Sequence, residues 1–486
     1  MERLSEIPVS APTNAFATVR VQGLPYAYGL VLAICLNFMQ TGGHDRQRVI
    51  ELILLFAGGC ALAYRSPSLW DRTDARVRGT LSVFFALGLL SGVFAFSPRH
   101  SLYEVTSLFL LLLSGLAISD ALAQERGSLS HVLHAFGAVA ALYALKIVCI
   151  YVSVWLLTAI PDSGDFTPGF SNIRHLNHVQ TIALPLLVLL YTLTPAVSRL
   201  RALWMTTLAV WWSVLFATGG RGTEVGLIAA TLITFILRRR AAWPFLRVLI
   251  LSCVIGAIVY VLGFVLAPMM MGRAPFGEAG AMLARTMANP SSGRTFLWKH
   301  AFELITAHPM LGVGPLHFAH ERAGAAHPHD WMVQIAAEWG LPALLAFSIA
   351  LFFSFRGLWR RRTSIAATDT LNQNFLSAWL LIGAALLIDA SVSGSIVMPQ
   401  SQLMIVLYIA CATGWTWSFN MVARPSPSGM VKLVSPLVVI AAALTLAYVI
   451  APQFVDKATD AEPTAAEIAA NGTVEWWPRL WRAGYF

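Results

Sequence analysis

The stretch "AAHPHDWMVQIAAEWGLPALLAF", Ala325–Phe347, sets two histidines and an aspartate directly against an apolar run that continues to Phe355. Apolar runs of roughly 17 to 25 residues are candidates to cross a bilayer. Titratable groups therefore stand where a membrane helix would meet water. Similar runs recur along the whole chain, which is 57% hydrophobic and 12% charged, with a mean hydropathy of +0.67. Soluble domains carry about 25% charged residues. The expected fold class is all-α: a polytopic integral membrane protein of about 12–13 transmembrane helices. A soluble enzyme with a single anchor is excluded.

The expected helices are Tyr26–Gln40, Val49–Tyr64, Gly79–Phe96, Ser101–Leu122, His131–Ala159, His178–Leu193, Leu200–Thr218, Gly222–Leu237, Phe245–Ala267, Trp331–Phe355, Phe375–Val392, Gln400–Phe419 and Leu433–Ile450. Residues 1–25 hold no signal-type apolar core and read as a cytoplasmic tail. Residues 26–450 form the membrane domain, with one long periplasmic loop at 268–330, and 451–486 form a C-terminal tail on the periplasmic side. The five cysteines (Cys35, Cys60, Cys149, Cys253 and Cys411) all fall in apolar runs without ligand or disulfide spacing, so they read as core packing. The net charge of +9 gathers at helix ends, where topology accounts for it better than nucleic acid does.

Arginine places the faces. "YRSPSLWDRTDARVR", "RRRAAW" and "RGLWRRRTS" belong to one set of alternate loops, which reads as cytoplasmic. "GGHDRQR" after the first helix is basic on the opposite side and stands as an exception. On that opposite side the unusual polar groups converge. They lie in "GFSNIRHLNHVQT" (Gly169–Thr181), "TGGRGTE" (Thr218–Glu224), "SSGRTFLWKHAFELITAHPMLGVGPLHF" (Ser291–Phe318) and the opening stretch. Charged groups at such depth usually face a cavity or a ligand. Each also has a plainer reading. Arg221 could snorkel from a short loop or pair with Glu224. Arg294 could be a solvated charge at a helix start. His329 could mark a helix boundary, and Asn172–Gln180 could be an ordinary loop-to-helix transition. Phe296, Leu297, Ala301, Phe302, Leu304 and Ile305 recur at helical spacing, so an amphipathic helix is expected along the interface, stopped by "HPMLGVGP". Asp330 is placed to cap the helix starting at Trp331. Lys146, inside the fifth helix, calls for an acid such as Asp389 or Glu104. His327 and His329 find no third ligand at metal spacing, so no metal and no cofactor is expected.

The segment "GRTFLWKHAFELITAHPMLGVGPLHF" followed by "HPHDWMVQIAAEWGLPALLAF" resembles the signature region of the O-antigen ligase superfamily. That superfamily takes in O-antigen ligases, Wzy-type O-antigen polymerases and bacterial O-linked oligosaccharyltransferases of the pilin type. The likeness is strong over Gly219–Phe347 and loose elsewhere. Gly220, Arg221 and Gly222 match the family's SRG-like turn, with glycine where serine is usual. Arg294 and Trp298 match its loop helix; Gly312, Gly314, Pro315 and Phe318 match its GvGp segment. Asp330 follows His329 where the family has Asn, Ser or Gln.

The resemblance implies a metal-independent glycosyltransferase in the bacterial inner membrane, working at the periplasmic face. The donor would be a glycan on undecaprenyl pyrophosphate and the acceptor a hydroxyl of lipid A–core, a growing glycan or a protein. On this reading Arg221 and Arg294 hold the pyrophosphate, with Arg174 a weaker third, and His329 is the base, its pKa open to being raised by Asp330 or another acid. Asn177, His178, His327 and Trp298 join Arg174 as substrate-binding candidates. The aromatic, basic end "NGTVEWWPRLWRAGYF" would dock an acceptor or lie on the membrane. The rival from another class is a transporter, which would show broken helices and repeat-related halves; neither is read here.

Overall fold

The computed structural model describes residues 24–125, 127–157, 163–276, 287, 293–321, 324–419, 429–458 and 479–481. Nearly all of the expected N-terminal tail, the middle of the long loop and most of the C-terminal tail lie outside the described residues. Among those residues the chain is all helix and connection, with no strand. The helices are α1 (Leu24–Met39), α2 (His44–Arg72), α3 (Ala75–Phe94), α4 (Pro98–Gln124), α5 (Ser128–Leu156), α6 (Ile173–Leu193), α7 (Arg199–Thr218) and α8 (Arg221–Arg238). There follow α9 (Trp243–Tyr260, continued to Met270 through a π-helical turn), α10 (Arg294–Ala307), α11 (Trp331–Trp339), α12 (Leu341–Arg360), α13 (Thr370–Ala390), α14 (Pro399–Ser418) and α15 (Gly429–Ala458).

Each expected apolar segment is helical over most of its described residues, while 158 and 159, the end of the fifth, lie outside them. Nine helices among the described residues are long and apolar enough to cross a membrane, and α2, bent near its middle, would make a tenth. The most deeply buried are α4, α6 and α13. Around them α3, α9, α12 and α15 turn large apolar side chains outward, among them Val93, Ile258, Phe352 and Leu444. In water such a surface would drive association; against lipid tails it is the surface a multi-pass protein needs. The cysteines share this division. Among the cysteines whose side chains are described, only Cys411 is buried, while Cys149 is exposed, so the core-packing reading fails for that residue.

Trp331–Phe355 is not one helix. Gly340, at φ +89°, separates the nine-residue α11 from α12. A Cβ at Gly340 would lie 2.3 Å from the carbonyl oxygen of Met310, so only glycine lets the two segments meet there. The Gly312–Gly314 segment packs under the end of α11, where Val313 and Gly314 donate their N–H groups to the carbonyls of Ala337 and Glu338 at 2.9 Å. The "GVGP" motif thus satisfies the last carbonyls of a short helix that would otherwise end unpaired.

Lys146 pairs with no acid among the described residues. Its ammonium donates to the carbonyls of Phe38, Met39 and Gln40, capping the C-terminus of α1 at 3.0–3.3 Å. The basic exception "GGHDRQR" also has a physical explanation. Its last residue, Arg48, is buried and hydrogen-bonded to Glu51, Gln402 and the carbonyls of Val397 and Arg479. The topology rule weighs charges facing solvent, and this one is spent inside the protein. The described part of the C-terminal end behaves alike. Arg479, Leu480 and Trp481 are buried, so for these three neither an acceptor-docking nor a membrane-surface tail holds.

Candidate functional site

The candidate site forms where α6, α8, α10, α13 and the loop before α11 meet. Its first part is the turn between α7 and α8. Gly219, in the left-handed conformation at φ +58°, ends α7, and Gly220 opens α8, so Arg221 emerges as the first residue of a helix. The turn is clamped from α6. Asn177 Nδ2 donates to Thr218 Oγ1 at 2.8 Å, and Thr223 Oγ1 donates to the Asn177 carbonyl at 2.8 Å. A Cβ at position 220 would sit 2.7 Å from Asn177 Cγ, which is why glycine stands where the family's serine is usual. Arg174 donates to the carbonyls of Thr218 and Gly219. Arg174 and Asn177 thus brace the turn.

On the other side of the turn lies Asp389, near the end of α13. It accepts a hydrogen bond from Thr181 at 2.8 Å, and its second oxygen would be 2.7 Å from a Cβ at Gly222. His178 Nδ1 stands 3.7 Å from the same carboxylate. His178 Nδ1 and Asp389 Oδ1 are both buried without a hydrogen bond among the described residues. Desolvated polar atoms of this kind are costly unless something polar arrives.

The second part is α10 and the loop it holds. Gly293, at φ +81°, turns the chain so that Arg294 is the first residue of α10. Leu297 and Ala301 pack against Phe318, Ala325 and Ala337, while Phe296 and Phe302 face outward. The amphipathic helix is present, and its buried face is committed to the loop and α11. Burial and the positive field of Arg221 push the Arg294 guanidinium below its ordinary pKa, and Asp389 acts in the opposite sense. Arg294 therefore lies within electrostatic reach of both Arg221 and Asp389.

The third part is the loop Ala325–Asp330. His329 has φ +58°, a conformation uncommon outside glycine. Such backbone persists where surrounding contacts enforce it, often at functional sites. Trp298 donates its indole N–H to the Pro328 carbonyl at 3.1 Å. The buried His327 accepts the His329 backbone N–H on Nδ1 at 3.3 Å, with the two rings 4.1 Å apart. A Cβ at Gly394 would sit 2.4 Å from the His327 ring, so this residue is packed behind His329. Asp330 caps α11, accepting from Met332 and Val333 at 2.8 and 3.1 Å. Its carboxylate is thereby turned to the helix, and it does not raise the pKa of His329. Burial, with the charges of Arg294 and His178, holds His329 down at about 3. The imidazole is neutral at pH 7.

Of the eight residues singled out from the sequence, the structure brings Arg221, Arg294, His329 and His178 to one place. It sets Arg174, Asn177, His327 and Trp298 behind them as supports. Asp389 belongs to the site, although its position inside an apolar helix suggested only a partner for Lys146. His175, whose ring is 6.5 Å from that of His178, also borders it. Among the described residues no group of three His, Cys, Asp or Glu side chains is arranged to hold a metal ion.

The fold is that of a multi-pass membrane protein, with a cluster of arginine, histidine and aspartate side chains among its helices. A family model described as O-Antigen ligase matches residues 205–348, from within α7 into α12. The chain therefore carries a domain of the O-antigen ligase superfamily, over nearly the span where the motif resemblance was strong. That family comprises glycosyltransferase-like ligases and polymerases. Among curated proteins, none matches the chain.

Proposed function

We propose that the protein is a membrane glycosyltransferase of the O-antigen ligase type. It moves a glycan from undecaprenyl pyrophosphate to a hydroxyl of lipid A–core at the periplasmic face of the inner membrane. The observation that carries this reading is that Arg221 and Arg294 each open a helix, with Arg294 within electrostatic reach of both Arg221 and His329. Two guanidinium groups in one partly buried site repel, and a bound anion offsets that cost. Each is also the first residue of its helix, where the helix dipole favours negative charge.

The chemistry follows from the charges. A pyrophosphate leaving group gains negative charge as the bond from the sugar anomeric carbon to phosphate oxygen breaks. Fixed guanidinium forks stabilise that developing charge more than the ground state. They bind phosphate oxygens in pairs and keep their charge at any physiological pH. The acceptor O–H gives its proton to the neutral His329 ring as the oxygen forms the new bond to the anomeric carbon. Undecaprenyl pyrophosphate leaves with the bonding electrons. Arg221 and Arg294 supply the counter-charge, so the transfer is read as metal-independent. Residues 26–450 form the catalytic membrane domain, with 268–330 as its periplasmic loop.

The test is purified full-length protein in detergent, given undecaprenyl-pyrophosphate-linked glycan and lipid A–core. Donor-dependent appearance of glycosylated lipid A–core is the expected result. Absence of transfer, together with donor flux across sealed vesicles, would overturn it in favour of a transporter.

A further inference from the structure

A buried ion-pair knot lies beneath the loop that carries His329, and its central residue comes from the C-terminal end of the chain. Arg479 is 2% exposed. Its two terminal nitrogens meet the Glu338 carboxylate in a fork at 2.7 and 2.8 Å. One of them also reaches Glu104 at 2.7 Å, and the other donates to the Ala326 carbonyl at 3.2 Å. The backbone is held as well, since Arg48 donates to the Arg479 carbonyl at 2.9 Å. Two residues on, Trp481 donates to Gln453 of α15 at 2.6 Å.

The connections run to the reacting group by short steps. Glu338 sits on α11, and its carboxylate also accepts the Phe318 N–H at 3.0 Å. The opposite end of α11 is capped by Asp330, which adjoins His329. Ala326 adjoins His327, whose ring holds the His329 N–H. A single guanidinium thus ties α4, α11 and the loop into one unit. Only arginine can do this, because its planar fork serves two carboxylates and a carbonyl at once.

We infer that Arg479 is a positioning residue, through which the C-terminal segment Arg479–Trp481 fixes the His327–His329 loop against α4 and α11 and sets His329 for proton transfer. The inference rests on the proposed function for its kinetic consequence and on the contacts alone for its structural one. A misplacement of about 1 Å at a reacting group can cost up to about a hundredfold in rate.

The experiment uses full-length protein carrying Arg479→Gln or Arg479→Lys. It measures turnover per folded molecule at saturating donor, donor affinity, and hydrogen exchange of the Ala325–Asp330 amides. Expected for Arg479→Gln is a kcat loss of tenfold or more, donor affinity within about twofold, and faster exchange in the loop. Arg479→Lys keeps the charge but not the fork, and should recover part of both the rate and the protection. Unchanged kcat per folded molecule, or parallel losses of kcat and affinity, would overturn the positioning role. If the wild-type protein transfers no glycan, the functional reading fails and the exchange arm decides: unaltered loop exchange in both variants then overturns the inference. If Arg479→Gln does not fold, the same readouts on Arg479→Lys decide.

Discussion

The indole N–H of Trp298 donates to the carbonyl of Pro328 at 3.1 Å, so the second turn of α10 grips the peptide immediately before His329. Arg294 and His329 are thereby spaced by one hydrogen bond between the elements that bear them. Trp298→Phe keeps the ring and removes the donor. A hydrogen bond of this kind is worth about 0.5–1.5 kcal/mol net. If that energy holds the loop, kcat should fall about 2- to 10-fold while donor affinity stays constant. A loss confined to affinity would assign Trp298 to donor binding instead.

The backbone at His329 allows its side chain to be tested apart from its conformation. At φ +58°, glycine and asparagine fit without the strain that alanine adds. His329→Gly and His329→Asn should both lose about 10²- to 10⁴-fold in turnover, the usual worth of a general base. Donor binding should survive in both. His329→Ala should show the same kinetic loss together with a lower melting temperature. Wild-type turnover in any of the three would remove the base assignment.

How much of this was legible in the sequence depended on how far each signal reached. The helices were legible because apolar runs are local, and so was the Asp330 cap, set by the residues that follow it. The break at Gly340 was signalled by glycine just before Leu341–Pro342, but the unbroken apolar run hid it. Arg221, Arg294 and His329 stood out as costly groups flanked by glycine or aromatic residues. Their supports did not. Lys146 is satisfied by backbone carbonyls, which carry no sequence signal. Arg479 is satisfied by Glu104 and Glu338, more than 100 residues away in the chain. Asp389 was visible as an intramembrane acid, while its neighbours Thr181 and His178 follow only from the packing of α6 on α13.

The protonation of His329 should depend on the donor. In the free protein, burial and the nearby Arg294 charge hold its pKa at about 3. A cation beside an imidazole lowers its pKa and an anion raises it. Bound pyrophosphate offsets the Arg294 field, so the pKa should rise toward the ordinary value of about 6.5. The acid limb of kcat, which reports the donor complex, should therefore lie at higher pH than the limb of kcat/KM assigned to His329. Rate profiles from about pH 2.5 to 8 would show this. Coincident limbs, both surviving in His329→Gly, would count against it.

Arg221 and Arg294 should be separable from a plain charge requirement. Lysine keeps the charge and loses the paired geometry that suits phosphate oxygens. Arg294→Lys should retain donor binding better than Arg294→Ala, yet recover little of kcat, because the fork matters most as the leaving group gains charge. The double variant Arg221→Ala, Arg294→Ala should fail to retain labelled donor. Normal retention by that double variant would remove the pyrophosphate site.

Asp389 gives the sharpest test, because its removal should act in opposite directions on binding and turnover. Its carboxylate faces the same space as Arg294 and lies 3.7 Å from His178 Nδ1. An anion entering that space competes with Asp389 for the guanidinium groups. Asp389→Asn preserves an oxygen to accept from Thr181 and removes the competing charge. A change of about 1.4 kcal/mol in that competition makes a factor of ten. Donor and the undecaprenyl pyrophosphate product should therefore bind about tenfold more tightly to Asp389→Asn. Turnover should fall, since the product leaves more slowly. Equilibrium binding of undecaprenyl pyrophosphate, set beside steady-state rates, reads both effects. Weaker binding in Asp389→Asn would mean that the carboxylate organises the arginines for the donor rather than competing with it, and the electrostatic description of the site would have to be redrawn around that residue.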